Sequence, residues 1–217
     1  LSEIFTAEYG VSLDSLSRDV GSEGYTKSVS NFFATFSSSK QYQLLKIISS
    51  LSDSYKLNGK GFDSFVSEAR KANKLFNKSW HTVEGEVMQT GYGFAKDWRS
   101  ASDDQVIFQY KTQNDSHVRA SHQELEGLKM RKAEWAKSPF TPPWGYNCRC
   151  SLFNTGTQNG QSLTKSRKLP SSDIVPMEFR TNVAITGSVF TRDHPYYRDL
   201  SQKDASSIRG AISKIKR

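Results

Sequence analysis

A chain of 217 residues is long enough for one good-sized domain or two small ones. Its apolar share of 35% is low for a compact globule, but an aromatic share of 12% excludes global disorder, because aromatic side chains bury large areas. The formal charge is +8, and Gly160 to Arg217 carries 11 Lys/Arg against 5 Asp/Glu, or +6, so the first 159 residues carry only +2.

No stretch approaches the ~18 apolar residues of a membrane span, so no membrane insertion is expected. The opening residues Leu1 to Phe5 place no basic region ahead of an apolar run and do not read as a signal peptide. Cys148 and Cys150 are the only cysteines, too few for a secreted disulfide framework. A reducing cytoplasm is the expected site of synthesis.

In chain order, the first hundred residues read as helical. Phe32, Phe33 and Phe36, then Leu44, Leu45, Ile47, Ile48 and Leu51, recur at spacings of three and four and form a one-sided stripe. Leu57 to Gly61 breaks it. A second helix is predicted from about Asp63, with Phe62, Phe65, Val66 and Ala69 inward. A third carries Trp80, Val83, Val87, Gly91, Phe94 and Trp98, the two tryptophans reading as core anchors. Val106 to Tyr110 is rich in β-formers and predicts a strand. Asp115 to Lys132 predicts a polar helix. Pro139, Pro142 and Pro143 then rule out regular structure, with Gly145 and Asn147 adding turn chemistry. Ser151 to Phe153 reads as a strand, Asn154 to Lys168 as a linker, Val183 to Phe190 as a strand or hairpin, and Ser201 to Lys216 as a basic helix with Ile208, Ala211, Ile212 and Ile215 on one side.

The fold class expected is α+β: a helical part over 1–100, a small mixed or antiparallel β part over 101–160, and a basic extension over 161–217.

One segment carries more information than the rest. If Asp115 to Glu126 is helical, Asp115, Arg119 and His122 fall at i, i+4 and i+7 and share a face, with Asp115 and Arg119 able to pair. The stiff Pro142-Pro143-Trp144-Gly145 segment then delivers Cys148 and Cys150 to a fixed point. His122, Cys148 and Cys150 offer three zinc-type ligands, for which Asp115, His117 or His81 could supply the fourth. The same residues also fit a bland reading, in which His122 hydrogen-bonds the loop and the cysteines pack as small apolar groups, or a strained disulfide. Asp115, Arg119 and His122 read more readily as a structural polar cluster than as a catalytic one, since neither a second acid/base partner nor a Gly-rich phosphate loop is evident. His194-Pro195-Tyr196-Tyr197 offers either base stacking or a loop anchor.

The pattern D-x-x-x-R-x-x-H-x-x-L-x-G followed by P-P-x-G-x-x-C-x-C, here Asp115, Arg119, His122, Leu125, Gly127, Pro142, Pro143, Gly145, Cys148 and Cys150, resembles the phage Mu F-like minor head proteins, the phage head-morphogenesis family. His81-Thr82-Val83-Glu84 sits where the family often has an Arg-Thr-Glu helix and departs from it at the first position. The resemblance implies a non-enzymatic minor capsid protein of a tailed bacteriophage. It would be assembled in the host cytoplasm and placed inside the head near the portal. Its implied partners are the portal, the major capsid protein or scaffold, and packaged double-stranded DNA with which it could be ejected. Lys203, Arg209, Lys214, Lys216 and Arg217 are the candidate DNA contacts, because basic side chains gain affinity from counterion release at phosphates. Two rival classes stay open: an injected effector enzyme, nuclease or ADP-ribosyltransferase-like, and an interaction module that ignores DNA.

Overall fold

A computed structural model describes residues 23–59, 61–156 and 168–215. It has α1 (Glu23–Asn58), α2 (Phe62–Lys74), a π-helical turn (Leu75–Trp80), α3 (His81–Ser100), β1 (Ile107–Lys111), α4 (Ala120–Gln123), β2 (Lys129–Arg131), α5 (Lys132–Trp135) and β3 (Ser151–Asn154). Two 3-10 turns (Ser172–Ile174 and Met177–Phe179), α6 (Val183–Thr186), α7 (Pro195–Arg198) and α8 (Gln202–Ile215) follow. The architecture is α+β, predominantly helical with one antiparallel sheet of order β2-β1-β3. No helix among the described residues is long and apolar enough to cross a membrane.

By its contacts the chain divides into two compact units, Leu1–Val29 with Gly85–Thr191, and Ser30–Glu84 with Arg192–Arg217. This partition differs from the sequential one over 1–100, 101–160 and 161–217. Interruption by distant segments leaves no compositional seam for a sequence to show. Most of the linker expected over 154–168 lies outside the described residues.

The first unit is built on β1. Phe108 pairs with Met130 of β2 and Asn154 of β3, and Tyr110 with Leu152. Two-residue alternation sends Phe108 and Tyr110 to one face, where both are fully buried. Trp135 of α5 stacks on Tyr110 and donates its indole N–H to the Phe108 carbonyl at 3.0 Å. From α3, Val87, Met88, Tyr92, Phe94, Ala95 and Trp98 complete this core at helical spacing.

Val183 to Phe190 is not a strand or hairpin. Asn182 caps a single helical turn by accepting the Ala184 N–H at 3.0 Å, and Gly187 ends it in the left-handed conformation at φ 72°. A β-carbon at Gly187 would lie 3.0 Å from the Val29 backbone nitrogen. Gly187→Ala should therefore cost about 1–3 kcal/mol, from both the left-handed backbone and the clash. Gly93, in mid-helix with nothing near its absent β-carbon, is the control. Gly93→Ala should gain about 0.5–1 kcal/mol. Urea denaturation of both variants checks the pair, and a neutral Gly187→Ala would show that this turn relaxes freely.

In the second unit, Phe32, Phe33 and Phe36 of α1 pack with Phe76, Tyr196 and Tyr197. His194, Tyr196 and Tyr197 are buried here, so the loop-anchor reading holds and base stacking by these rings does not. Burial and the nearby Lys40 cation lower the His194 pKa to about 4, so its imidazole is neutral at pH 7. The α1 stripe is only half realised: Leu44 is buried, whereas Leu45 and Ile47 are exposed. α2 has no buried residue, and Phe62, expected inward, is 75% exposed. Trp80, expected as a core anchor, is 37% exposed and lies over Phe76. α8 forms as expected and buries Ile208.

Candidate functional site

All ten motif residues lie in the first unit. They do not meet as one helical face. The Asp115 carboxylate accepts the His117 N–H at 3.0 Å, and the Val118 N–H bonds back to the Asp115 carbonyl at 3.1 Å. That local turn satisfies the backbone without a helix, as short acidic side chains tend to do. Arg119 is extended, and α4 begins only at Ala120. The expected Asp115–Arg119 pair does not form. Asp115 instead takes both guanidinium nitrogens of Arg149, at 2.8 and 2.7 Å. The hydrogen bonds from Arg149 hold the exposed Asp115 carboxyl below its ordinary pKa. Both side chains are substantially exposed, so the pair orients the loop more than it stabilises it.

His122 lies where α4 faces the Cys-x-Cys loop and is 3% exposed. Its Nδ1 is 3.3 Å from Cys150 Sγ and 3.8 Å from Cys148 Sγ. The imidazole stacks on the Trp144 indole with ring centres 3.6 Å apart and planes 13° from parallel. Trp144 is fixed from behind by donating to the Tyr110 hydroxyl at 2.7 Å and by the edge of Phe140. Tyr110, from the middle strand, thus ties the sheet to the Pro-rich loop.

Arg119 closes the other side. Its guanidinium donates to the Tyr146 carbonyl, and its Nη1 lies 3.4 Å from His122 Nε2. The approach is closest at Gly145, where a β-carbon would stand 3.0 Å from that nitrogen and push the guanidinium aside by a few tenths of an ångström. A guanidinium only donates, so in this arrangement Nε2 accepts and the ring proton sits on Nδ1, directed at sulfur. Asn147, left-handed at φ 58°, turns the loop between Gly145 and the two cysteines, and the Cys148 N–H closes that turn on the Gly145 carbonyl at 3.2 Å.

Cys148 and Cys150 are buried thiols, not a disulfide. Hydrogen bonding from the Cys150 thiol and from His122 lowers the Cys148 pKa well below the usual thiol value. The neighbouring Cys148, together with burial, pushes Cys150 up. Burial also raises the Tyr110 hydroxyl far above its normal value, so it remains a donor.

Ligand atoms of His122, Cys148 and Cys150 all lie within 4.8 Å of one another, and among the described residues no further His, Cys, Asp or Glu joins them. Asp115 is engaged by Arg149, while His117 stands exposed at the rim of a cleft of about 10 Å³ beside the cluster. His81 belongs to the other unit. Of the candidate DNA contacts, Lys203 is exposed on α8, whereas the side chains of Arg209 and Lys214, and all of Lys216 and Arg217, lie outside the described residues.

Tyr110, Trp144 and Arg149 are the residues that motif reasoning left without roles. The signal available was positional, since Trp144 and Arg149 sit between the named members of the motif and Tyr110 stands five residues before the first of them. A second polar centre, Lys40 with Glu84 and Tyr196, had only one visible trace, the Glu84 of the helix that resembles Arg-Thr-Glu.

No curated protein and no solved structure matches the chain. A family model does: residues 57–153 match the one described as Phage Mu protein F like protein, a segment that contains every motif residue from Asp115 to Cys150, and over that segment the chain is similar to this family.

Proposed function

We propose that the chain is a minor head protein of a tailed bacteriophage. It sits inside the capsid near the portal, touches portal, coat or scaffold protein together with packaged DNA, and can leave with that DNA. The observation that carries this reading is the phage Mu F-like match over residues 57–153. The site supports a structural role over an enzymatic one. His122, Cys148, Cys150 and Trp144 are buried against one another, and the adjoining cleft of about 10 Å³ has room for one water-sized ligand rather than a nucleotide. The cluster closes the Pro-rich loop onto the sheet. The deciding experiment is a reconstruction of the particle, in which density for this chain is expected on the inner face near the portal vertex. Density on the outer surface, or none in the particle, would refute the placement.

The DNA component has its own test. Its support is the +6 of Gly160 to Arg217. Because α8 buries Ile208, deleting the helix would damage the second unit, so the informative variant replaces Lys203, Arg209, Lys214, Lys216 and Arg217 by glutamine. Affinity for random duplex DNA should fall steeply with salt in the parent chain. The slope of log K against log salt should flatten by about 0.9 for each phosphate that the variant no longer neutralises. Equal slopes would leave protein docking as the function of this surface.

A further inference from the structure

We propose that His122, Cys148 and Cys150 bind one divalent metal ion of the zinc class, through His122 Nδ1 and two thiolates. The distances fit. Zinc takes nitrogen at ~2.0–2.1 Å and sulfur at ~2.3 Å, so tetrahedral angles place the nitrogen about 3.6 Å from each sulfur. Nδ1 lies 3.3 Å from one sulfur and 3.8 Å from the other, values that straddle this spacing. The two sulfurs lie within 4.8 Å of each other, so an ion enters as they close towards the roughly 3.8 Å of a tetrahedral pair.

The surroundings favour it as well. All three ligands are buried and are held by separate elements: α4 for His122, the turn closing on Gly145 for Cys148, and the approach to β3 for Cys150. Trp144 fixes the imidazole plane, which leaves the ring little freedom to lose on binding. Two thiolates and a neutral imidazole cancel the ion's charge, so the buried site is neutral overall and avoids the cost of an isolated buried charge. The three ligand residues share the lining of a cleft of about 10 Å³ with Gln113, His117, Val118 and Asn147, room for about one water molecule as a fourth ligand.

One contact opposes binding and is part of the prediction. A metal on Nδ1 requires the ring proton on Nε2, where it would face the donor nitrogen of Arg119. At 3.4 Å this contact is at the outer limit of a hydrogen bond. Arg119 can keep its bond to the Tyr146 carbonyl while Nη1 swings away. The proton balance is then fixed. Both thiols lose their protons to solvent, and the imidazole proton moves from Nδ1 to Nε2, so binding releases up to about two protons per metal ion.

The test is titration of the reduced, metal-stripped full chain with cobalt(II), then displacement by zinc. The expected result is one equivalent of cobalt with thiolate-to-metal absorption and the strong visible bands of a four-coordinate ion, both erased by zinc. Cys148→Ser and Cys150→Ser should each weaken zinc binding by at least about tenfold in a chelator competition, with unchanged far-UV circular dichroism. His122→Gln should do the same, and if it unfolds, the two serine variants still decide. Weak six-coordinate cobalt bands without thiolate absorption would overturn the proposal, as would equal zinc affinity in the double serine variant. In either case the cluster is a hydrogen-bonded thiol–imidazole lock.

Discussion

Glu84→Ala should destabilise the protein by about 3–5 kcal/mol, because it orphans a buried cation. Glu84 accepts from Lys40 at 2.6 Å through one carboxylate oxygen and from the Tyr196 hydroxyl at 2.6 Å through the other. Both members of the ion pair keep only 6% of their side-chain surface. Truncation removes the counterion and the hydroxyl's acceptor at once and leaves the ammonium group without water to replace them. The effect should depend on breaking the pair rather than on losing charge as such. The double variant Lys40→Met with Glu84→Leu removes both desolvated groups and should recover most of the loss, since a buried ion pair and an apolar pair of similar volume are often close in stability. Urea denaturation of the parent, Lys40→Met, Glu84→Leu and the double variant gives the coupling energy. A Glu84→Ala loss under about 1 kcal/mol would mean that water reaches Lys40. A double variant no better than the worse single one would mean that packing, not charge, is at stake.

Trp144→Ala should cost a similar amount, about 3–5 kcal/mol, by emptying a large volume beside the cysteine loop. Trp144 is 2% exposed, covers the His122 ring and anchors the Tyr110 hydroxyl. Trp144→Phe separates these contributions. It keeps an aromatic face against the imidazole but loses the indole N–H, so it should cost about 1–3 kcal/mol, the range expected when a buried polar partner is left unmet. The second readout is the reaction of Cys148 and Cys150 with a thiol reagent, which should quicken far more in the alanine variant than in the phenylalanine one. Equal destabilisation by the two substitutions would assign the whole effect to the Tyr110 bond. Unchanged thiol reactivity in Trp144→Ala would show that the indole does not shield the cluster.

Several features were legible in the residues because they depend on local pattern. β1 follows from a run of β-formers with two-residue alternation, and Phe108 and Tyr110 duly share the buried face. The long helices follow from apolar spacing, and the break between α1 and α2 from the turn chemistry of Leu57 to Gly61. His122, Cys148 and Cys150 could be picked out because few residue types share their chemistry and they sit within one compact motif.

The tertiary structure decided what pattern alone leaves ambiguous. Asp115 had a suitably spaced partner in Arg119, but an aspartate that bonds its own following backbone starts a turn, and the turn handed it to Arg149. Val183 to Phe190 carries β-branched residues, yet capping by Asn182 and the left-handed Gly187 favours one helical turn packed near Tyr25 and Tyr92, whose hydroxyls bond the Val183 and Gly187 carbonyls. The α2 stripe looked like a core face, but a stripe states only that a helix has two sides, not that another element covers one of them. Lys40 and Glu84 are 44 residues apart and meet only because two helices bring them together. By itself the sequence determined which residues prefer helix or strand and which can do polar chemistry, since those are properties of single side chains and their near neighbours. Which polar groups pair, and which apolar faces are buried, was decided by folding, because desolvation and hydrogen bonding depend on neighbours distant in the chain.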